Sequence, residues 1–343
     1  MTNKNFSENK EIFQKTVLVT GGCGFIGSNY LNDVVSRTPD TMFVNVDNLF
    51  YSGSVENIKE STKSCLNYVF VKANIADHDF MIFLLKLYKV THIVHFAAQT
   101  HVDNSFGSGS VQFVQDNVKG TLILLEAVRQ VSTEILFLHF STDEVYGESL
   151  FEDMVPKTEI SLLCPTNPYA ASKASAEMMV TSYQHSFGLK CIVTRCNNVY
   201  GRHQFPEKLI PKFINNLLLG KKCPIQGTGN SLRSFIHVSD VCSAVELILQ
   251  KGEIGNVYNI GSELCHEKSV IDVFEHLVFK IKGKETDPQD WCTFVEDRPY
   301  NDKRYFISNN KIKLLGWEQK ISFEDGINDI LNNIDELSRT EVL

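Results

Sequence analysis

Short apolar runs rich in β-branched residues alternate with longer segments of helical periodicity along the first half of the chain. The runs lie at residues 17–20, 42–47, 68–72, 92–96, 135–140 and 190–195. Continuous apolar runs of this length are typical of strands buried on both faces of a parallel sheet. We therefore predict an α/β fold with a Rossmann-type doubly wound parallel sheet.

The alternation of strand-like and helix-like segments becomes less regular after residue 195. PEKLIPKFINNLLLG (206–220) and VCSAVELILQKG (241–252) have helical periodicity, and VYNIG (257–261) is typical of a short strand. We predict a first domain, of Rossmann type, over 1–195. A smaller mixed α/β substrate-binding domain is predicted over 196–343, with segments that can cross back to the first. A cleft between the two is expected at the carboxyl ends of the strands.

Composition narrows the function classes. The 343 residues are 43% hydrophobic and 22% charged, with a net charge of −8; without a basic patch, nucleic acid is not an expected partner. Nine cysteines without CxxC spacing favour free thiols in a reducing compartment over disulfides or a metal site. The polar start and the lack of a long apolar run predict a cytoplasmic protein without a membrane partner.

The first chemical motif is TGGCGFIG, residues 20–27, which follows the first predicted strand and opens a helix. Its spacing satisfies both GxGxxG (Gly22, Gly24, Gly27) and GxxGxxG (Gly21, Gly24, Gly27). Such glycines let the backbone approach a pyrophosphate at the helix N-terminus. A tight glycine turn without a ligand is the structural alternative. Asp47 at the end of the second strand favours a dinucleotide, because a carboxylate there can bind the ribose diol. The same carboxylate would repel the 2′-phosphate of NADP, which favours NAD. NAD is the predicted cofactor, and the domain over 1–195 is predicted to bind it and to carry the catalytic residues.

The second motif, NPYAASK, places Tyr169 and Lys173 four residues apart in a predicted helix over 167–187. Both side chains then share one face, where the ammonium can lower the pKa of the phenol from ~10 toward neutrality and make it a base. On many helices the same spacing is a packed Tyr and a solvated Lys. The Ser141–Thr142 pair after the fifth strand favours the catalytic interpretation.

Two adjacent carboxylates, Asp143 and Glu144, end the fifth predicted strand in HFSTDEVYG (139–147). They lie either in solvent at the rim of the sheet or in a cleft where they act chemically. Neighbours on a regular strand point to opposite faces. The chain must therefore turn at this point if both acids are to face one cavity.

Together with the glycine motif, six further segments resemble the nucleotide-sugar 4,6-dehydratases of the extended short-chain dehydrogenase/reductase superfamily. The segments are HFAAQTHVD, STDEVYG, PTNPYAASK, RCNNVYG, FPEKLIPKFI and EDRPYNDKRY. The resemblance covers nearly the whole chain. HFAAQTHVDNSFG and NNVYG…FPEKLIPKFI are most similar to the UDP-glucose enzymes of rhamnose biosynthesis, with the dTDP-glucose enzymes second.

The resemblance implies a role for each acid. In related sugar epimerases the positions after the Ser/Thr usually carry small or apolar residues. After oxidation at C4, however, elimination of the C6 hydroxyl needs one group to take the C5 proton and another to give one. Glu144 is implied as the base at C5, Asp143 as the acid at C6, and Thr142 as a hydrogen-bond partner of the C4 oxygen beside Tyr169. Asp143 then needs a raised pKa, for which burial and a neighbouring like charge are the usual causes.

The resemblance also implies binding residues. The cofactor contacts are Gly21, Gly24, Phe25, Ile26, Gly27, Asp47, Asn74, Ile75, Ala97, Ala98, Tyr169 and Lys173. The nucleotide-sugar contacts are His101, Asn198, Lys208, Leu209, Arg233, Asn259 and Arg298. Two positions depart from the family: Asn74 stands where many relatives carry Asp near the adenine, and Asn301 where bacterial dTDP-glucose enzymes carry His.

The sequence therefore predicts an NAD-dependent nucleotide-glucose 4,6-dehydratase, with UDP-glucose favoured over dTDP-glucose. A homodimer through the helices beginning near Val111 and Asn167 is expected by family analogy. Two alternatives stay open: a 4-epimerase or decarboxylase on the same scaffold, which the acid pair disfavours, and a non-catalytic NAD sensor, which the intact Thr142, Tyr169 and Lys173 disfavour.

Overall fold

The computed structural model describes residues 13–263 and 267–334. Its strands are β1 (Lys15–Thr20), β2 (Thr41–Asp47), β3 (Tyr68–Lys72), β4 (His92–His95), β5 (Leu136–Thr142), β6 (Lys190–Cys196), β7 (Asn198–Tyr200), β8 (Cys223–Gln226), β9 (Leu232–His237), β10 (Val257–Ile260), β11 (Glu267–Ser269) and β12 (Cys292–Val295). Its α-helices are α1 (Phe25–Arg37), α2 (Glu60–Lys63), α3 (His78–Leu87), α4 (Ser110–Phe113), α5 (Gly120–Val131), α6 (Pro168–Phe187), α7 (Leu209–Leu218), α8 (Val238–Lys251), α9 (Val270–Lys282), α10 (Asn310–Leu314) and α11 (Phe323–Asn332).

The central sheet has seven strands in the order β10-β6-β5-β4-β1-β2-β3. Every pairing in it is parallel, so the predicted doubly wound α/β fold is confirmed. From β1 the chain first proceeds outward to β2 and β3 and then returns to β4 on the other side. This reversal opens a crevice at the carboxyl ends of β1 and β4, which is where ligands bind in open parallel sheets.

Helices cover both faces of this sheet and bury its apolar strands. On one face, Leu31 and Val34 of α1 belong to one buried cluster with Val241 and Val245 of α8. On the other face, α3, α5 and α6 contribute to a second cluster. Apart from the partly exposed edge strand β3, the strands are therefore buried on both sides, which explains why they are apolar throughout rather than alternating.

A smaller unit packs beyond the carboxyl edge of the large sheet. It combines the sheet β11-β9-β7 and the pair β12-β8 with α7, α9 and α11. Its core includes Phe213 and Phe274, whose ring centroids are 5.8 Å apart in an edge-on arrangement. Although α8 and β10 follow residue 195, they pack on and extend the large sheet. The chain thus crosses back after its first pass through the smaller unit.

The observed helices differ from the predicted segments mainly at their ends. The helix predicted within 206–220 begins only at Leu209, and the one predicted from 241 begins earlier, at Val238. The eight cysteines within the described ranges are free thiols. No helix among the described residues is long and apolar enough to cross a membrane.

Candidate active site

A cavity of about 630 Å³ lies between the carboxyl edge of the large sheet and the smaller unit. It receives the residues that follow β1, β2, β4 and β5 on one side, and the segments around 198–213 and 224–235 on the other. Every predicted site residue except Asn259 lines it. The topology thus brings together segments that are far apart in the sequence.

At one end of the cavity the backbone of the glycine motif packs too closely against neighbouring backbone to admit side chains. Gly21 has φ +69°, and a Cβ there would lie 2.6 Å from the backbone N of Ala97; a Cβ on Gly27 would lie 2.3 Å from the carbonyl oxygen of Gly21. Gly24 caps α1 without a side-chain hydrogen bond. The first amides of α1 thus remain available to a phosphate, which the helix dipole also stabilises.

Asp47 lies at the same end, where β2 stops. Its Oδ2 accepts a hydrogen bond from the backbone N of Cys23 at 2.9 Å, and its Oδ1 accepts one from Leu49 N at 2.8 Å. Burial raises the pKa of this carboxyl, and the two backbone bonds oppose the rise. The two bonds fix the carboxylate beside the glycine motif, and each oxygen keeps a second acceptor site for a ribose hydroxyl.

The remaining predicted cofactor residues surround this end. They are Phe25, Ile26, Asn74, Ile75, Ala97 and Ala98. The Oδ1 of Asn74 accepts a hydrogen bond from Ala76 N at 2.9 Å. The glycine motif, the first amides of α1 and the fixed Asp47 carboxylate fit a dinucleotide such as NAD.

Helix α6 positions the tyrosine and lysine. Asn167 caps its N-terminus by accepting a hydrogen bond from Ala170 N at 2.8 Å, and Gly188 ends it with a left-handed φ of 71°. Tyr169 and Lys173 are both buried and face the cavity. The ammonium Nζ donates to the carbonyl oxygen of Phe140 at 2.7 Å, which ties α6 to the end of β5.

The pKa values of this pair differ from the prediction. Burial raises the pKa of the Tyr169 phenol and the negative charge of Glu144 raises it further, while a hydrogen bond with Thr142 acts in the opposite direction. Burial lowers the pKa of Lys173 to about 8. The pKa of Tyr169 is thus raised by burial and by Glu144 rather than lowered, and the contribution of Lys173 to it stays a prediction.

Asp143 lies in a turn at the end of β5. A 3₁₀-helix over Asp143–Tyr146 begins directly after the strand, so the predicted turn is confirmed. Asn197 Nδ2 donates to Oδ2 of Asp143 at 2.6 Å, and the Thr142 hydroxyl donates to Oδ1 at 3.2 Å. Burial, followed by the charge of Glu144, raises the pKa of Asp143 to about 7, which confirms the expected direction.

Glu144 faces the same cavity from different surroundings. Its Oε2 accepts a hydrogen bond from Asn167 Nδ2 at 3.1 Å, and the Tyr305 hydroxyl lies 3.3 Å away. Burial raises the pKa of this carboxyl as well. The two acids are thus adjacent in sequence but have different hydrogen-bond donors: Asn197, between β6 and β7, for Asp143, and Asn167, at the start of α6, for Glu144.

The other end of the cavity carries the predicted nucleotide-sugar residues His101, Asn198, Lys208, Leu209, Arg233 and Arg298. Arg233 Nη2 donates to Oδ1 of Asn301 at 3.0 Å, and Arg298 Nη2 donates to Oε1 of Gln226 at 3.0 Å. Lys208 Nζ donates to the carbonyl oxygen of Thr100 at 2.8 Å. Three cations converging on one end suit a diphosphate.

His101 lies between these cations and the carboxylates of the cavity wall. Its Nδ1 is 3.6 Å from Oε1 of Glu207, and its Nε2 is 3.9 Å from Oδ2 of Asp103. Burial lowers the pKa of His101 to about 4. The imidazole is therefore neutral at physiological pH and available for a hydrogen bond rather than an ion pair.

Asn259 does not line the cavity, which departs from its prediction as a substrate contact. It is fully buried in β10, where its Oδ1 accepts a hydrogen bond from the Tyr146 hydroxyl at 2.8 Å. Its Nδ2 donates to the carbonyl oxygen of Ser308 at 3.0 Å. Because β10 crosses back to the large sheet, Asn259 supports the Asp143–Tyr146 turn from behind instead of facing a ligand.

Three residues that contact the acid pair were not predicted from the sequence: Asn167, Asn197 and Tyr305. Asn167 and Asn197 belong to motifs that the sequence analysis used, but their neighbours Tyr169 and Asn198 were chosen. Tyr305 belongs to EDRPYNDKRY, more than 150 residues after Glu144. No local periodicity indicates which member of that segment reaches the acid pair.

Comparison with known proteins gives one consistent family. The family profile described as GDP-mannose 4,6 dehydratase matches residues 18–330. A trifunctional protein of Arabidopsis thaliana, named UDP-glucose 4,6-dehydratase/UDP-4-keto-6-deoxy-D-glucose 3,5-epimerase/UDP-4-keto-L-rhamnose-reductase, is 47% identical over 313 residues, which are 91% of this chain and 46% of that protein. This chain thus spans about half the length of that relative. The dTDP-D-glucose 4,6-dehydratase of Mus musculus is 43% identical over 320 residues, covering 92% of this chain and 87% of the relative.

A solved structure agrees with the sequence relatives. The crystal structure of dTDP-glucose 4,6-dehydratase from Bacillus anthracis in complex with NAD superposes with a TM-score of 0.84 at 37% identity, covering 94% of this chain and 97% of that one. Profile, relatives and structure extend over both units of the fold. The chain belongs to the GDP-mannose 4,6 dehydratase family, within the short-chain dehydrogenase/reductase superfamily.

Proposed function

We propose that this protein is an NAD-dependent nucleotide-glucose 4,6-dehydratase that forms an NDP-4-keto-6-deoxyglucose. The observation that carries this proposal is the placement of Asp143 and Glu144 in one cavity with Tyr169 and Lys173. An epimerase needs only a base for the C4 hydroxyl. Two further carboxyls with separate hydrogen-bond partners suit a reaction that also removes one proton and delivers another.

The geometry of the cofactor end of the cavity fits NAD. The glycine motif and the N-terminus of α1 would hold the pyrophosphate, and Asp47 a ribose diol. When bound, NAD supplies the acceptor for a hydride from C4 and the donor of a hydride to C6. The protein's own side chains bind and orient the sugar and move its protons.

Each proton transfer has a candidate group. Tyr169 takes the C4 hydroxyl proton, while Thr142 holds the C4 oxygen. Glu144 takes the C5 proton, and Asp143 donates to the C6 hydroxyl as it leaves as water. The raised pKa of Asp143, about 7, suits this assignment because the carboxyl still holds its proton near neutral pH.

The proposed substrate is UDP-glucose, with dTDP-glucose second. The plant relative named for UDP-glucose is 47% identical and the mouse relative named for dTDP-glucose is 43% identical. Asn301, hydrogen-bonded to Arg233, also departs from the His of bacterial dTDP-glucose enzymes. Arg298, Lys208 and Arg233 would pair with the diphosphate common to both substrates.

The deciding experiment is turnover with UDP-glucose and dTDP-glucose in parallel, read by product mass. Loss of one water supports the dehydratase. An unchanged mass with a changed sugar indicates an epimerase, and bound NAD without turnover indicates a sensor. Substrate deuterated at C4 should yield product deuterated at C6 without added reductant. Appearance of that label in the solvent would contradict internal return of the hydride.

We also propose how the chain is organised. Residues 1–195 bind NAD and carry the catalytic groups, and residues 196–343 mainly bind the nucleotide sugar.

We also propose that the protein is a cytoplasmic homodimer. Exposed apolar side chains at Val111, Val114 and Met178, on and beside the helices expected to form the interface, support the dimer. Light scattering should give twice the chain mass. Val111→Asp combined with Met178→Asp should give the monomer, and an unchanged mass would place the interface elsewhere.

A further inference from the structure

The hydroxyl of Tyr305 lies between two carboxylates but has only one proton to donate. It is 2.5 Å from Oδ2 of Asp302 and 3.3 Å from Oε2 of Glu144. A hydroxyl donates in one direction at a time, and the shorter contact is by far the stronger hydrogen bond. The proton of Tyr305 therefore lies toward Asp302, and Glu144 faces the lone pairs of the phenol oxygen.

Asp302 is held in place to accept this proton. It is 2% exposed, and the Thr166 hydroxyl donates to its Oδ1 at 2.7 Å and lies 2.8 Å from its Oδ2. The backbone on its C-terminal side is also fixed, because Leu232 N donates to the carbonyl oxygen of Lys303 at 2.8 Å and Ser149 N to that of Arg304 at 2.9 Å. Asp302 is therefore held within hydrogen-bond distance of the Tyr305 hydroxyl.

We propose that Asp302 is a positioning residue that, by holding the hydroxyl proton of Tyr305, withholds that hydrogen bond from Glu144 and keeps Glu144 basic enough to take the C5 proton. This inference rests on the proposed function, which makes Glu144 the base. The purely structural alternative is that Asp302 only anchors the 302–305 segment to Thr166. The two differ in what they predict for proton removal at C5.

The physical basis is competition for one donor. A carboxylate that accepts a hydrogen bond from a phenol is stabilised in its charged form and becomes a weaker base. In the observed geometry Glu144 receives a donor hydrogen bond from Asn167. If the Tyr305 hydroxyl turned toward Glu144, that carboxylate would gain a second donor. The charged or titratable groups around Glu144 are Asp143, Tyr169, Tyr305, Asp302, Arg233 and Lys208.

The test measures release of deuterium from C5-deuterated substrate into water as a function of pH, in single turnovers of the NAD-loaded enzyme. The rate rises with pH as Glu144 ionises. In Asp302→Asn the Tyr305 hydroxyl is free to donate to Glu144, and the negative charge of Asp302 is also removed. We expect the acidic limb of the pH–rate profile, where the rate rises as Glu144 ionises, to move to lower pH by roughly one unit. The plateau rate should fall several-fold.

A double-mutant cycle separates the hydrogen bond from the charge. In the Tyr305→Phe background the hydroxyl is absent. Asp302→Asn should then shift the acidic limb by less than half of the shift that it causes in the otherwise wild-type protein. Equal shifts in the two backgrounds would mean that Asp302 acts through charge alone and would overturn the proposal. Thr166→Val, which removes a hydrogen bond to Asp302 but leaves its charge and its contact with Tyr305, should give no shift to lower pH.

Tyr305→Phe by itself gives a second test that does not depend on the folding of Asp302→Asn. If Tyr305 does not donate to Glu144 in the wild type, its removal leaves the acidic limb within ~0.3 pH units. A shift of about one unit to higher pH would show that Tyr305 does donate to Glu144 and would overturn the proposal. The wild type serves as the control for the underlying function: absence of dehydrated product refutes the dehydratase, whereas normal turnover with unchanged profiles refutes only the role of Asp302.

Discussion

The cofactor end and the sugar end of the cavity are built in different ways. The cofactor end comes largely from one contiguous stretch, residues 20–27, supplemented by single residues where β2 and β4 stop. The sugar end combines α6, the turn after β5 and segments near 197, 233 and 302–305. Binding a pyrophosphate needs backbone amides and space, which a short motif supplies, whereas moving three protons needs side chains gathered from several elements.

The largest effect is expected at the sugar end. Tyr169→Phe should lower turnover by ~10²-fold or more while leaving NAD and substrate affinity nearly unchanged, because only the proton acceptor for the C4 hydroxyl is lost. Steady-state turnover and equilibrium binding check this. Tyr183→Phe is the matched control, since it removes a hydroxyl from the same helix that bonds to Glu126 away from the cavity. Weakened binding with preserved turnover would contradict the assignment.

The adjacent acids should respond differently to removal of their charge. Glu144→Gln should permit C4 oxidation but block C5 proton removal, so the near-ultraviolet absorbance of the reduced cofactor should accumulate. Asp143→Asn keeps the shape of the side chain but cannot deliver a proton, so we expect water loss to slow by ~10²-fold while solvent deuterium still enters C5. If both variants stopped C4 oxidation equally, the two carboxyls would be structural rather than catalytic.

A change at the cofactor end should affect binding and leave the proton chemistry intact. Gly27→Ala places a Cβ 2.3 Å from the carbonyl oxygen of Gly21, which must distort the motif. We expect NAD affinity to fall by at least ~10-fold, measured by calorimetry, with turnover largely restored at saturating NAD. Gly188→Ala introduces strain at a φ of +71° with nothing within 4 Å of the new Cβ and should leave NAD affinity unchanged. Equal affinity in all three proteins would argue against this motif as the pyrophosphate site.

The smallest effect concerns stability. Asp143 has a folded-state pKa of about 7 against ~3.9 in an unfolded chain, so the native state binds the proton more tightly. Its contribution is fully present below ~4 and is lost as pH rises through about 7, with a slope of at most ~1.4 kcal/mol per pH unit. Asp143→Asn should flatten the dependence of the urea midpoint on pH over this window. Parallel wild-type and variant curves would contradict the raised pKa.

Much of the fold follows from local pattern. The strands of the large sheet are predictable because each is a mainly apolar run, as expected of parallel strands buried on both faces. The α6 segment was recognised within one residue of its observed start, because Asn167, Pro168 and the YxxxK face are local signals. Local pattern also predicts VYNIG as a short strand, but it does not indicate that this strand crosses back to the large sheet and buries Asn259 away from the cavity.

The sequence by itself determined the parallel sheet, the glycine cradle, and the identities of the tyrosine, lysine and acid pair, because each is encoded by neighbours within a few residues. Only the tertiary structure decided the pKa values and the hydrogen-bond partners of those groups. The pKa of Tyr169 depends on burial and on Glu144, and the separate environments of Asp143 and Glu144 depend on Asn197, Asn167 and Tyr305. Desolvation and hydrogen bonding act through space, so they are fixed only when the distant segments meet.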